Sequence, residues 1–185
     1  MLDLKKIDKS WTLFLDRDGV INHEKENDYV YHYGEFVFYD GALEALAIFA
    51  RIFSTILVAT NQRGVAKGLM TESDLLELHA NMVRDIERAG GQIDKIYFNT
   101  SMDNDHPMRK PQHGMALEAK KDFPQIDFAR SIMVGNNVSD MLFGRNAGMH
   151  TVFLKTTSPD LALPHEAIDL SFDSLIDFAK ALQKA

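Results

Sequence analysis

Unbroken apolar runs alternate along the chain with segments of helical period. Residues 11–15 and Ser54–Ala59 lack the in–out alternation of a half-exposed strand, which predicts strands buried on both faces. Ile93–Asn99, Ser131–Val134 and His150–Leu154 read as further strands. Asp40-Gly41 opens a predicted helix with Leu43, Leu46, Ala47 and Ala50 on its apolar face. Thr71 and Asp74 form an N-cap pattern for a longer helix whose predicted face is Leu75, Leu76, His79, Met82, Val83 and Ile86, stopped by Gly90-Gly91. Shorter helices are expected over Gly114–Phe123 and through Met141, Leu142 and Ala147 up to Gly148. A last one carries Leu175, Ile176, Ala179 and Leu182. Two stretches have no period: residues 19–39, a polar and aromatic flap, and residues 100–113, a polar loop with two prolines. Strand–helix alternation with solid apolar strands implies one α/β domain over residues 1–185, with three Rossmann-like layers, a mainly parallel sheet and helices on both faces.

Composition narrows the class. The 185 residues are 45% hydrophobic and 25% charged, with a net charge of −7, which disfavours a nucleic-acid partner that would need clustered Lys and Arg. The absence of cysteine removes disulfides, thiolate zinc sites and a Cys nucleophile. The five uncharged residues between Ser10 and Asp16 are too few for a signal-peptide core, and no apolar run reaches membrane-span length. A cytoplasmic monomer with no membrane partner is the expectation.

Candidate chemistry gathers where the strands end. In an open parallel sheet, ligands bind beyond the carboxyl ends of the strands. There the chain places Asp16-Arg17-Asp18-Gly19, then Thr60-Asn61-Gln62-Arg63, then Arg109-Lys110-Pro111, then Gly135-Asn136-Asn137 with Asp140 beyond. Each group alone reads as a turn, a cap or exposed charge; together they suit phosphoryl transfer. Asp16 can attack phosphorus to give an acyl phosphate. Asp18 can protonate the leaving alkoxide and later activate water, with a pKa expected to be raised by Asp16 beside it. Lys110 offers a cation, and Thr60 and the Asn61 backbone N–H offer hydrogen bonds to phosphoryl oxygens. An anionic nucleophile meeting an anionic phosphate calls for Mg²⁺ with oxygen ligands, with Asp16, Asp18, Asn136 and Asp140 as candidates.

The motifs D-R-D-G-V-I-N, T-N-Q, R-K-P and V-G-N-N-V-S-D-M, in that order, resemble those of the haloacid dehalogenase (HAD) phosphatases. The chain is most similar to their cap-less branch, the heptose bisphosphate and histidinol-phosphate phosphatases, from about Trp11 to Leu154, including N-Q-R-G-V-A-K-G. The resemblance implies Asp16 as nucleophile, Asp18 as acid/base with its carbonyl on Mg²⁺, and Thr60, Asn61 and Lys110 on the transferring phosphate. Asn22, Gln62, Arg63, Arg109 and Asn137 would surround the rest of a small phosphorylated metabolite. Two departures stand out. The stretch before R-K-P has no cysteine and only His106, so no zinc is expected, and the fourth motif has Gly135-Asn136 where the family has Gly-Asp. Arg63, Lys67 and Arg109 favour a sugar bisphosphate; Glu24, Glu26 and Asp28 suit the cationic end of histidinol phosphate. A binding protein weakened by Asn136 and a phospho-accepting signalling domain are the alternatives of other classes.

Overall fold

The computed structural model describes residues 2–25 and 28–185; Glu26 lies outside them. Its strands are β1 (Thr12–Leu15), β2 (Thr55–Asn61), β3 (Lys95–Asn99), β4 (Ser131–Gly135), β5 (His150–Leu154) and β6 (Leu170–Phe172). They form one six-stranded sheet in the order β3-β2-β1-β4-β5-β6. Every pairing is parallel. Strand β1 lies centrally, with β2 on one side and β4 on the other, so the crossovers diverge from it and open a crevice at its carboxyl end.

The solid apolar runs have a simple cause. Leu13, Leu15, Ile56, Val58, Ile132 and Val134 face one core, beneath α1 (Ala42–Ile52), α3 (Glu72–Arg88) and α6 (Leu175–Gln183). Phe14, Leu57, Ala59 and Met133 face the other, beneath α4 (Gly114–Asp122) and α5 (Val138–Ala147). Successive side chains point to opposite faces, and both faces are covered, so apolar residues fill the middle of each strand. A short helix, α2 (Arg63–Ala66), follows β2 where only a turn was expected.

Helix starts agree with the sequence better than helix faces do. Thr71 and Asp74 form the reciprocal capping box of α3, and Gly148 ends α5 at φ 85°, a conformation glycine adopts without strain. On α1 the buried face is Ala42, Ala45, Leu46, Ile48 and Phe49, with Leu43, Ala47 and Ala50 only partly buried. On α3, Leu78 is buried and Leu76 is 50% exposed, and on α6 Phe178 takes the place expected for Ile176. The orientation of each helix on the sheet, rather than its strongest apolar period, selects the face.

The described residues of the 19–39 segment are pinned. Val30 and Phe36 are buried in the first core. The Tyr33 hydroxyl donates to Asp85 Oδ2 at 2.5 Å on α3, and Asn22 bridges to Phe38.

Candidate active site

The chain leaves β1 with one more ladder bond, from Asp16 N–H to the Val134 carbonyl at 3.0 Å, then turns sharply. The Arg17 carbonyl accepts from the N–H groups of Val20, Ile21 and Asn22. That turn needs Gly19 at φ 82°, and any Cβ there would overlap the Asn136 side chain. The ends of β1 and β4 are thereby pressed together.

Between them lies a cavity of ≈ 230 Å³ lined by Asp16, Asp18, Thr60, Arg109, Lys110 and Asn136, among others. The Lys110 ammonium, 2% exposed, sits 2.8 Å from Asp16 Oδ1 and 2.7 Å from Asp140 Oδ1. Burial alone would push Lys110 down, but the fields of Asp140 and Asp16 prevail and raise it. Desolvation, then the charge of Asp140, pushes Asp16 up to about 7 against the pull of Lys110. Asp16 Oδ1 also accepts from the Arg17 N–H at 2.8 Å.

Asp18 reverses the expectation of a raised pKa. Burial again acts upward, but the Arg17 guanidinium and three donors outweigh it and hold the carboxyl below its usual range. Oδ1 accepts from Arg17 Nη2 and Asn22 Nδ2, each at 2.9 Å, and Oδ2 from Gln62 Nε2 at 2.8 Å. The charge of Asp16 is a smaller influence than these direct partners.

Several residues expected at the substrate are bonded to other residues of the site. Asn22, fully buried, is tied to Asp18 and the His23 carbonyl. Gln62 bridges Asp18 Oδ2 and the Thr60 hydroxyl. The Asn61 amide donates to the Lys110 carbonyl at 3.2 Å and accepts from the Lys110 N–H at 3.1 Å, clamping the R-K-P loop to β2 and leaving only its backbone for a phosphate. Asn137 lines the cavity but caps α5 in a box with Asp140. Asp140 Oδ1 faces Lys110 and Oδ2 accepts from the Asn137 N–H at 3.0 Å, so this carboxylate serves the ammonium and the helix start before any metal. Arg63 turns away to the Met102 carbonyl and Asn104, fastening the 100–113 loop. In the same loop His106 accepts from the Met108 N–H and meets Asn99. Arg109 and Thr60 line the cavity as expected, and Arg109 Nη1 is buried without a partner.

The donor set fits a hard cation. Asn136 is 3% exposed; its Nδ2 donates to Thr157 Oγ1 at 2.7 Å, while its Oδ1 is buried with no partner. An orphaned amide oxygen beside Asp16 and Asp18 is an acceptor awaiting a cation or a donor. No cluster of three His, Cys, Asp or Glu suited to a metal occurs among the described residues. An orphaned amide oxygen with few carboxylates suits Mg²⁺, which keeps several waters and takes few protein ligands.

Three participants escaped the sequence reading. Thr156 and Thr157, just past β5, reach the Gly19 carbonyl and Asn136; the strand-end rule applied to β5 would have found them. His79, on α3, meets Arg17, and nothing in its spacing signals this. Glu24, considered only for a cationic substrate, also lines the cavity.

Known proteins are similar to this chain. A family model described as HAD-hydrolase-like matches residues 107–178. A D-glycero-alpha-D-manno-heptose-1,7-bisphosphate 7-phosphatase of Campylobacter jejuni is 41% identical over 146 residues, 79% of this chain and 83% of the relative. The chain belongs to the HAD phosphatases. A beta-anomer 7-phosphatase of Photorhabdus laumondii is 32% identical over 92% of this chain and 94% of its own length. Among solved HAD structures, the D,D-heptose 1,7-bisphosphate phosphatase of B. bronchiseptica, complexed with magnesium and phosphate, matches with a TM-score of 0.84 at 27% identity. That match covers 95% of this chain and 99% of the other.

Proposed function

We propose that this chain is a Mg²⁺-dependent phosphatase that removes the 7-phosphate of D-glycero-D-manno-heptose 1,7-bisphosphate through an aspartyl-phosphate. The carrying observation is the Asp16 carboxyl. Both donors that reach it, Lys110 and the Arg17 N–H, hold Oδ1. Oδ2 has no donor among the described residues and is the oxygen for attack. As the Oδ2–P bond forms, the ester P–O bond breaks and its electron pair goes to the substrate oxygen. Asp18 gives that oxygen a proton, then takes one from the water that hydrolyses the acyl phosphate. In the resting site Asp18 is a carboxylate; an arriving phosphate dianion opposes Arg17 and raises its pKa, so that Asp18 takes up from solvent the proton it then gives to the leaving oxygen. Lys110, the Thr60 hydroxyl and the Asn61 N–H stabilise the phosphoryl oxygens.

Asp16, the Asp18 carbonyl and Asn136 Oδ1 would hold Mg²⁺, which supplies positive charge to nucleophile and phosphate when bound. We assign Asp140 to holding Lys110. The remainder of the substrate has room in an adjoining cavity of ≈ 420 Å³ lined by Glu24, Lys25, Asp28, Tyr29 and Lys67. The single domain thus uses its own 19–39 and 100–113 segments as walls in place of a cap. The identity and coverage of the heptose bisphosphate phosphatases favour the sugar bisphosphate over histidinol phosphate.

The test is phosphate release with Mg²⁺ from both anomers of heptose 1,7-bisphosphate and from histidinol phosphate. The expected result is preference for one heptose anomer and a loss of at least ~10³-fold in Asp16→Asn. Unchanged turnover in that variant would refute the nucleophile, and preference for histidinol phosphate would refute the substrate.

A further inference from the structure

Arg17 is an unusual residue to find beneath an active site. It is 1% exposed, and its guanidinium has two partners: Nη2 donates to Asp18 Oδ1 at 2.9 Å, and Nη1 lies 3.1 Å from His79 Nε2. Arg17 Nε is buried with no partner. Burying a guanidinium against one carboxylate adds little net stability, so the pair is better explained by what it orients. His79 comes from the middle of α3, is 4% exposed, and lines neither the cavity around Asp16 nor the adjoining one. Its ring packs edge-on against Phe98, with centroids 5.8 Å apart. Because arginine can only donate, Nε2 must accept, which fixes the neutral tautomer with its proton on Nδ1. Burial and the neighbouring guanidinium push the imidazole down to about 3, so the acceptor is present throughout the neutral range.

We propose that His79 is a positioning residue: it anchors the Arg17 guanidinium, which in turn aims the Asp18 carboxyl at the leaving oxygen. Asp18 receives two more donors, Asn22 and Gln62, but both are neutral amides. All three bonds end on the Asp18 carboxylate, but only Arg17 sets a formal positive charge against it, an ion pair as well as a hydrogen bond, and its side chain must fold back onto the next residue to make it. His79 is the one other partner that holds it there among the described residues. This inference rests on the proposed role of Asp18 as the acid.

The test separates an aimed acid from a general scaffold by leaving group. An alkyl phosphate such as the heptose bisphosphate needs a proton on its departing oxygen; p-nitrophenyl phosphate does not. In His79→Leu, kcat/KM for the alkyl ester should fall at least ~10-fold, within the range of general acid catalysis. For the aryl ester it should stay within ~3-fold. His79→Gln, which keeps an acceptor for Arg17, should restore most of the alkyl activity. A destabilised but correctly aimed enzyme lowers both esters equally, and that result would overturn the proposal. Asp18→Asn serves as reference. If it shows the split and His79→Leu does not, His79 has no positioning role while the acid stands. If Asp18→Asn shows no split, Asp18 is not the acid and both readings fall.

Discussion

Asn136 holds its Oδ1 buried and orphaned among carboxylates, and the metal role proposed for that atom makes a prediction. Asp16, Asp18, Glu24 and Asp140 all line the same cavity, opposed there by Lys110 and Arg109. An amide at position 136 avoids adding another negative charge to this set, at the expense of weaker cation binding. Asn136→Asp should therefore act with opposite signs in the two states. Without metal it should lower the melting temperature, because a new carboxylate joins four others in a confined space. With Mg²⁺ it should tighten binding by about tenfold, on the scale of one charge-assisted contact. The Thr157 hydroxyl can donate to the new carboxylate as it now accepts from the amide, so the side chain need not move. Titration calorimetry with Mg²⁺ and melting with a chelator measure the two arms; equal affinity in both proteins would remove Asn136 from the ligand set.

At the scale of an element, α5 begins with Asn137, expected at the substrate and here also the helix cap. Asn137 Oδ1 accepts from the Ser139 N–H at 3.3 Å, and Asp140 returns a bond to the Asn137 N–H. Asn137→Ala should cost about 1 kcal/mol in urea unfolding, the usual value of a lost N-cap. KM for the phosphate ester should change by less than ~2-fold; a large KM rise with unaltered stability would restore the substrate role. The same contrast explains what the sequence revealed. Residue types at the ends of β1, β2 and β4 were legible, because strand ends are marked by where apolar runs stop. The bonds between those residues were not legible. Gln62 reaches Asp18 across 44 positions and His79 reaches Arg17 across 62, separations at which no local spacing carries information. Strand β6 was missed for another reason: its three residues are only half-buried at the sheet edge, so it lacks the solid apolar run that betrayed the others.

Across the whole molecule, His79 and Asp16 pull stability in opposite directions with pH. His79 is buried neutral, its pKa brought down to about 3 by desolvation and the Arg17 charge. Between about pH 6.5 and 3 the unfolded chain binds this proton and the folded one does not, so His79 contributes stability that is complete above about pH 6.5 and is lost on acidification. The loss from pH 7 to pH 5 is on the order of 2 kcal/mol. Asp16, raised to about 7 chiefly by desolvation and Asp140, has the reverse sign. Its contribution is complete below about pH 4 and is lost as pH rises through about 7. In metal-free protein the two slopes oppose each other, so the wild-type stability curve should be shallow between about pH 4 and 7. Asp18 and Asp169, held low by their arginine partners and hydrogen bonds against burial, lose their share only in more acid solution. His79→Gln removes one slope and exposes the other. The stability gap between wild type and variant, measured by urea unfolding in the presence of a chelator, should shrink by about 2 kcal/mol from pH 7 to pH 5. A gap that stays constant over that range would mean that His79 titrates alike in the folded and unfolded chains, and that the imidazole is not held neutral by the buried guanidinium.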